Sequence, residues 1–246
     1  MTMGNKMLWN QFESWKNDYK WVDLTRELSP ETPHWSGFPD MVLEVPFDYP
    51  DGFFVHKYTL VSQYGTHIDA PCHFPQGRRS LDQIMPEEMV LPLCVIDITD
   101  KVNENVDYVF GVQDILDWEA VHGQIPEGAF VAMQTGWSKR EDMNNFDENG
   151  IKHFPGWGIP ALEFLAKERK VKAVGHEPAD TDPGVIACTE GYVGEYYILD
   201  QECYQVELMI NLDQVPAVGS LIFVGFPKAK DSPGFTARCI ALCPKE

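Results

Sequence analysis

The 246-residue chain sets 38 acidic side chains against 19 Lys and Arg, a formal net charge of −19. Such a charge repels phosphate backbones and anionic lipid, which argues against nucleic acid and membrane surfaces as partners. Its apolar fraction of 44% can build a sizeable core, yet no run approaches the ~18 apolar residues of a membrane-crossing helix.

Residues 1–20 are largely polar, so no secretory leader is expected. Instead Leu8, Phe12, Trp15 and Tyr19 recur at helical spacing. They predict an amphipathic helix at about 8–19, packed on the core by default or else on a partner subunit. Trp21 to Thr25 reads as a strand. The Pro- and Ser-rich loop Ser29 to Pro39 can present an aromatic to a pocket; Trp35 is the candidate, with core capping weighed equally. Residues 41–48 and 53–63 alternate and carry β-formers, with Asp51-Gly52 as the hairpin turn between them. His56 reads as structural.

The next stretch is the densest in chemistry: Gln63-Tyr64-Gly65-Thr66-His67-Ile68-Asp69-Ala70-Pro71-Cys72-His73-Phe74. In an extended segment His67 and Asp69 share a face, their Cα atoms roughly 6–7 Å apart. With ligand bonds of about 2 Å, one ion fits between them. A straight strand would carry His73 about 20 Å away, so either the chain bends near Ala70-Pro71 or His73 has another task. Cys72, out of phase with His73, faces away. The six cysteines, Cys72, Cys94, Cys188, Cys203, Cys239 and Cys243, form no C-x-x-C pair; read as reduced and mostly buried, they point to the cytoplasm.

Short helical turns are expected at Leu81–Ile84 and Pro86–Met89, a buried strand over Val90–Thr99, and a helix over 112–122. Ala129–Gln134 reads as a buried strand ending in Thr135-Gly136-Trp137. A loop can bend over a site there, which makes Gln134 and Trp137 pocket candidates. Residues 141–149 form an acidic, Asn-rich loop. A helix over 160–170, with Pro160 in its first turn, then a strand over 171–176 argue for α/β architecture. That strand runs into His176-Glu177, which are candidates for ligand capacity or substrate choice, or else an ordinary polar strand end. Glu207 sits in an apolar run, and buried carboxylates are normally paired or on metal.

Gly65-Thr66-His67-Ile68-Asp69-Ala70-Pro71-Cys72-His73-Phe74 resembles the signature of the cyclase family of metal-dependent hydrolases. Further likeness runs from Trp21-Val22-Asp23-Leu24-Thr25 through Thr135-Gly136-Trp137 to the stretch Gly234 to Ala241. The resemblance implies a single α/β domain spanning 1–246, with a mixed, barrel-like sheet of the swivelling β/β/α type and flanking helices. It implies a divalent ion on His67, Asp69 and Glu207, with Gln63 a weaker ligand where the family has His. A second family His falls on Glu195. A carboxylate in place of imidazole favours a harder ion, Mn²⁺ or Mg²⁺, over Zn²⁺; Mn²⁺ and Zn²⁺ are the cofactor candidates, as one ion or two. The expected reaction is hydrolysis of a C–N bond in a small amide, formamide or lactam by metal-activated water, with His73 as general acid and base. Trp35 and Trp137 would stack an aromatic substrate. A metal-dependent lyase or cyclising dehydratase, and a ligand-binding member that has lost catalysis, are the alternatives. The family also implies a homodimer or homotetramer acting on a small molecule.

Overall fold

The computed structural model describes residues 6–245. Helix α1 (Met7–Asp18) leads into strand β1 (Tyr19–Asp23). A long loop then reaches the hairpin β2 (Val42–Phe47) and β3 (Val55–Thr59), a separate two-stranded ribbon. Its connection tightens into a 3-10 turn at Tyr49–Asp51, and Gly52 closes it at φ 98°, a left-handed conformation that suits glycine. The signature stretch forms strand β4 (His67–Asp69) followed by a 3-10 turn over Pro71–His73.

Five further β segments follow: β5 (Val90–Asp97), β6 (Val109–Phe110), β7 (Phe130–Gln134), β8 (Gly156–Trp157) and β9 (Ala173–His176). Helices α2 (Thr99–Glu104), α3 (Val112–His122) and α4 (Ile159–Glu163) are interspersed among them. The turns of α4 widen into a π-helix over Phe164–Arg169, where Lys170 ends it at φ 51°. Arg169 holds this end to α3 through two bonds to Glu119, 2.6 and 2.7 Å. Helices α5 (Gly184–Thr189) and α6 (Val193–Asp200) precede β10 (Tyr204–Glu207), and β11 (Ser220–Gly225), β12 (Gly234–Thr236) and β13 (Arg238–Pro244) close the chain.

Nine of these strands form one mixed sheet, in the order β1-β13-β11-β5-β7-β9-β10-β4-β12. The centre, β5-β7-β9-β10, is parallel, and the flanks are antiparallel. Thr236 ends β12 at one edge, and Arg238 opens β13 beside the other. One residue, Ala237, bridges the two, so the sheet curls until its edges nearly meet. The amide of Ala237 bonds the Thr66 carbonyl at 3.0 Å, and that of Leu24 bonds the Cys239 carbonyl at 2.9 Å, stitching this seam. The result is α/β: a half-barrel with helices outside, as the signature implied.

Period-two alternation fills both faces. Leu91, Leu93 and Val95 of β5, with Phe130 and Ala132 of β7, point into the half-barrel beside Ile68, Val206 and Ile222. Cys94, Ile96, Val131 and Met133 point outward to Ile115, Trp118, Leu162 and Leu165 on the helices. Each Val, Leu, Ile, Phe or Met among them contributes about 1.5–3 kcal/mol on burial.

Helix α1 departs from the sequence expectation, since none of its residues is buried. Trp15 edges onto Phe223 at 6.3 Å, while Leu8 and Trp9 are 77% and 69% exposed. The core behind β11 is already filled by Ile222 and Val224, so the apolar stripe finds no room against it.

Candidate active site

Strand register assembles the site. Glu207 of β10 pairs with His67 of β4, and Gln205 with Asp69, so all four side chains emerge on the same face. His67, Asp69 and Glu207 each offer a ligand atom, and these lie within 4.8 Å of one another. The Nε2 atom of His67 is 3.4 Å from Asp69 Oδ2 and 3.5 Å from Glu207 Oε2. Nδ1 of the same ring donates to the Gly65 carbonyl at 2.8 Å, which leaves the Nε2 lone pair facing the acids.

The chain does bend after Asp69. The His73 amide bonds the Ala70 carbonyl at 2.9 Å, and this turn brings His73 Nε2 back to 4.0 Å from Asp69 Oδ1 and 3.9 Å from Glu195 Oε1. Gln63 stands behind His73: its oxygen accepts from Ser62 Oγ at 2.8 Å, and its nitrogen is 2.9 Å from His73 Nδ1. The same nitrogen is 3.2 Å from His73 Nε2, so the Gln63 amide lies against the ring's edge and beside the cavity. Cys72 turns away, 3.9 Å from the Ser232 carbonyl.

Charge is the dominant feature. Asp69, Asp180, Glu195 and Glu207 are all buried around one cavity. Burial, then neighbouring acids (Asp69 and Asp180 for Glu195; Glu195, Asp69 and Asp180 for Glu207), push Glu195 and Glu207 well above the ordinary carboxyl range. Asp69 goes the other way. Burial opposes its charge, but the imidazoles of His67 and His73 pull it down. At the centre lies Gln205, whose oxygen accepts from Thr181 Oγ1 at 2.6 Å. Its nitrogen therefore faces Glu195 Oε1 at 2.8 Å and Asp69 Oδ2 and Glu207 Oε1 at 3.1 Å each. Two amide hydrogens serve three carboxylates. Asp69 Oδ1 is buried with no partner among the described residues.

These observations fit a divalent cation. Atoms 3.4 and 3.5 Å from His67 Nε2 can share one ion with it at bonds of about 2 Å, and a buried orphan carboxylate oxygen is otherwise costly. His67, Asp69 and Glu207 would hold the ion.

The cavity above them has a volume of about 240 Å³ and aromatic walls that include Trp35, Phe38, Phe74 and Tyr192. Trp35 is thus a lining residue. Its ring folds over Gly37, where a Cβ would sit 1.6 Å from Cζ3 of the indole. Asp180 reaches the cavity with Lys152 behind it at 2.9 Å. Asp182 anchors the start of α6 by accepting from the amides of Gly194 and Glu195 at 2.7 and 3.0 Å, which aims Glu195 inward.

Four expected pocket residues lie elsewhere. Trp137 is fully buried in the outer core, its indole N–H on the Met143 carbonyl at 2.9 Å. Gln134 ends β7, where its carbonyl accepts from Ile98. Glu177 faces away from the cavity and gathers the Thr135 amide and hydroxyl at 2.7 and 2.8 Å, the Trp137 amide at 3.2 Å and the Ser138 hydroxyl. These bonds fold the loop after β7 onto the helices, so it does not cover the site. His176 is buried behind Glu207. Its Nδ1 accepts from the Trp157 indole at 3.2 Å, and its Nε2 lies 3.3 Å from Glu207 Oε1. Burial lowers its pKa to about 3; the neutral ring donates from Nε2 and orients the carboxylate. Gln205, Thr181, Asp180, Phe74 and Tyr192 were not foreseen. Asp180 and Thr181 carried a signal through their place in the polar run after β9, and Phe74 through the end of the signature stretch.

A family model described as "Putative cyclase" matches residues 22–183. The chain belongs to the cyclase family. Among its members, the isatin hydrolase of Roseibium aggregatum is 30% identical over 243 residues, covering 91% of this chain and 92% of that protein. A kynurenine formamidase of Bacillus cereus is 28% identical over 155 residues, 59% of this chain and 71% of that one. Isatin hydrolase A from Labrenzia aggregata, solved with benzyl benzoate, superposes with a TM-score of 0.89 at 30% identity, over 99% of this chain and 100% of that one. An isatin hydrolase bound to the product analogue thioisatinate gives 0.90 at 27% identity over the whole of both chains. This cyclase-family chain is accordingly an enzyme of the hydrolase class, with a divalent-metal site.

Losing the Glu177 carboxylate strands buried donors on Thr135 and Trp137. Glu177→Ala is expected to lower unfolding free energy by about 2–4 kcal/mol, measured by urea denaturation, without changing metal content. A loss under about 1 kcal/mol would show that these bonds do not hold the loop.

Proposed function

We propose that this chain hydrolyses the C–N bond of a small aromatic amide or lactam of the isatin type. The observation that carries this reading is the convergence of His67, Asp69 and Glu207 on one point, with His73 about 4 Å away under an aromatic-walled cavity. A divalent ion bound there supplies Lewis acidity toward the carbonyl and a lower pKa for attacking water. The oxygen-rich donor set supports Mn²⁺ over Zn²⁺, and one ligand cluster among the described residues supports a single ion.

The protein's own groups do the rest. His73 would take the proton of the attacking water and return it to the departing nitrogen, its ring edge packed against the Gln63 amide nitrogen, 2.9 Å from Nδ1 and 3.2 Å from Nε2. Gln205, fixed by Thr181, and His176, fixed by Trp157, hold the carboxylates in place. Trp35, Phe38 and Phe74 pack an aromatic ring and exclude bulk water.

Six unpaired cysteines support a reducing, cytoplasmic setting. The free chain would act on a small molecule, with neither nucleic acid nor membrane as partner, in keeping with its charge.

A homodimer or homotetramer built on the β2–β3 hairpin completes the reading. A lone two-stranded ribbon is marginal in water, yet every residue of β2 is exposed. Phe47 and Phe53 stack at 4.9 Å, and Tyr49 and Phe54 at 5.2 Å, with no core beneath them. These exposed, stacked aromatic side chains give a second copy an apolar surface to cover.

His73→Ala should retain full metal content by elemental analysis while turnover of isatin falls about 10²–10⁴-fold; unchanged turnover would remove His73 from the reaction. Phe47→Asp is expected to convert the dimer or tetramer seen by light scattering to a smaller species. A wild-type chain that is already monomeric at micromolar concentration would contradict the hairpin interface.

A further inference from the structure

The Tyr192 phenol has one hydrogen-bonding partner among the described residues: the Trp35 indole, whose Nε1 is 3.0 Å from the phenolic oxygen. An indole N–H can only donate. The phenol is therefore the acceptor in this pair, and its own hydrogen must point elsewhere. No described residue receives it. Tyr192 lines the cavity, with the Phe74 ring 5.8 Å away on one side and Trp35 on the other. The free O–H thus has the cavity before it. Burial drives its pKa up to about 12, so the group stays a neutral donor at any working pH.

The pair is held from both ends. Tyr192 immediately precedes α6, whose first turn is anchored by Asp182. Trp35 packs edge-on against Phe38 at 5.0 Å, lies across the bare backbone of Gly37 and has the Lys152 ammonium 5.7 Å from its ring centre. Two segments far apart in sequence therefore fix one donor in one direction. The metal cluster and His73 approach the cavity from β4, β10 and the turn after β4, and they account for the carbonyl under attack. The donor on the α6 wall is left for a different oxygen.

We propose that Tyr192 is the substrate-orienting donor of this cavity, bonding a second carbonyl oxygen next to the scissile amide, with Trp35 as the residue that turns its hydrogen inward. The inference rests on the hydrolase reading and narrows its substrates to aromatic amides bearing an adjacent carbonyl. Isatin carries such a group; oxindole is the same fused lactam without it.

The test compares wild type, Tyr192→Phe, Trp35→Phe and the double variant. Each is assayed for kcat and KM with isatin and for the inhibition constant of oxindole. A neutral hydrogen bond contributes about 0.5–1.5 kcal/mol. Tyr192→Phe should therefore raise KM for isatin about 3–10-fold, keep kcat within about twofold, as for an interaction equal in ground and transition states, and leave oxindole inhibition unchanged. Trp35→Phe should give part of that effect, and the double variant should be no worse than Tyr192→Phe with respect to isatin selectivity over oxindole. An unchanged KM for isatin in Tyr192→Phe overturns the proposal, as does an equal weakening of isatin and oxindole. A wild-type enzyme that turns over no aromatic amide removes the functional reading itself, and this inference with it, a result distinct from either.

Discussion

Four carboxyl groups crowd a buried space with too few hydrogens to satisfy them, and much of the structure answers that constraint. Asp69, Asp180, Glu195 and Glu207 surround the cavity. The charged side chain that reaches this acidic group from behind, Lys152, is committed to Asp180. Gln205 divides two hydrogens among three acids, and one Asp69 oxygen is left bare. Desolvating charges without partners costs several kcal/mol per ion. A divalent cation would offset that cost where another hydrogen bond could not, because His67, Asp69 and Glu207 all present lone pairs to one point.

The fold makes this crowding possible. Antiparallel pairing of β4 with β10 sets Glu207 opposite His67 and Gln205 opposite Asp69. A slip of one residue would turn every one of those side chains to the other face. The curl that brings β12 round to β4 encloses the region, and Gly234 in β12 permits it: a Cβ there would lie 2.6 Å from the Ile68 carbonyl. Outside the sheet, α6 brings Glu195 to the same space. The parallel centre thus supplies rigidity, and the antiparallel edge supplies the chemistry.

Much of this was legible in the chain because it is local. The helix over 112–122 follows from its period, and the strands from Val90 and Ala129 from their continuous apolar runs. His67, Asp69 and His73 lie within seven residues and needed only a bend at Pro71 to meet. Glu207 was reachable through its place in an apolar run and through the family resemblance. Other features depend on contacts that no local pattern records. Glu177 looked like a site acid because it follows His176, but its partners, Thr135, Trp137 and Ser138, are about 40 residues away, and they claim it for the loop. Trp137 and Trp35 are the same residue type in similar Gly-flanked loops, yet one fills the outer core and the other the cavity wall. Tyr192 and Gln205 carry no local mark at all; their roles arise from Trp35 and Thr181, which the fold brings to them.

The central claim is that His67, Asp69 and Glu207 share one divalent cation. Calorimetric titration of Mn²⁺ into the chelator-treated chain tests it most directly, with Glu207→Gln titrated alongside. The account predicts saturable binding of one ion per chain in the wild type, weakened at least about tenfold, the ~1.4 kcal/mol expected at minimum from removing a charged ligand, in the variant. No stoichiometric binding by the wild type, or equal affinity in both proteins, would contradict it.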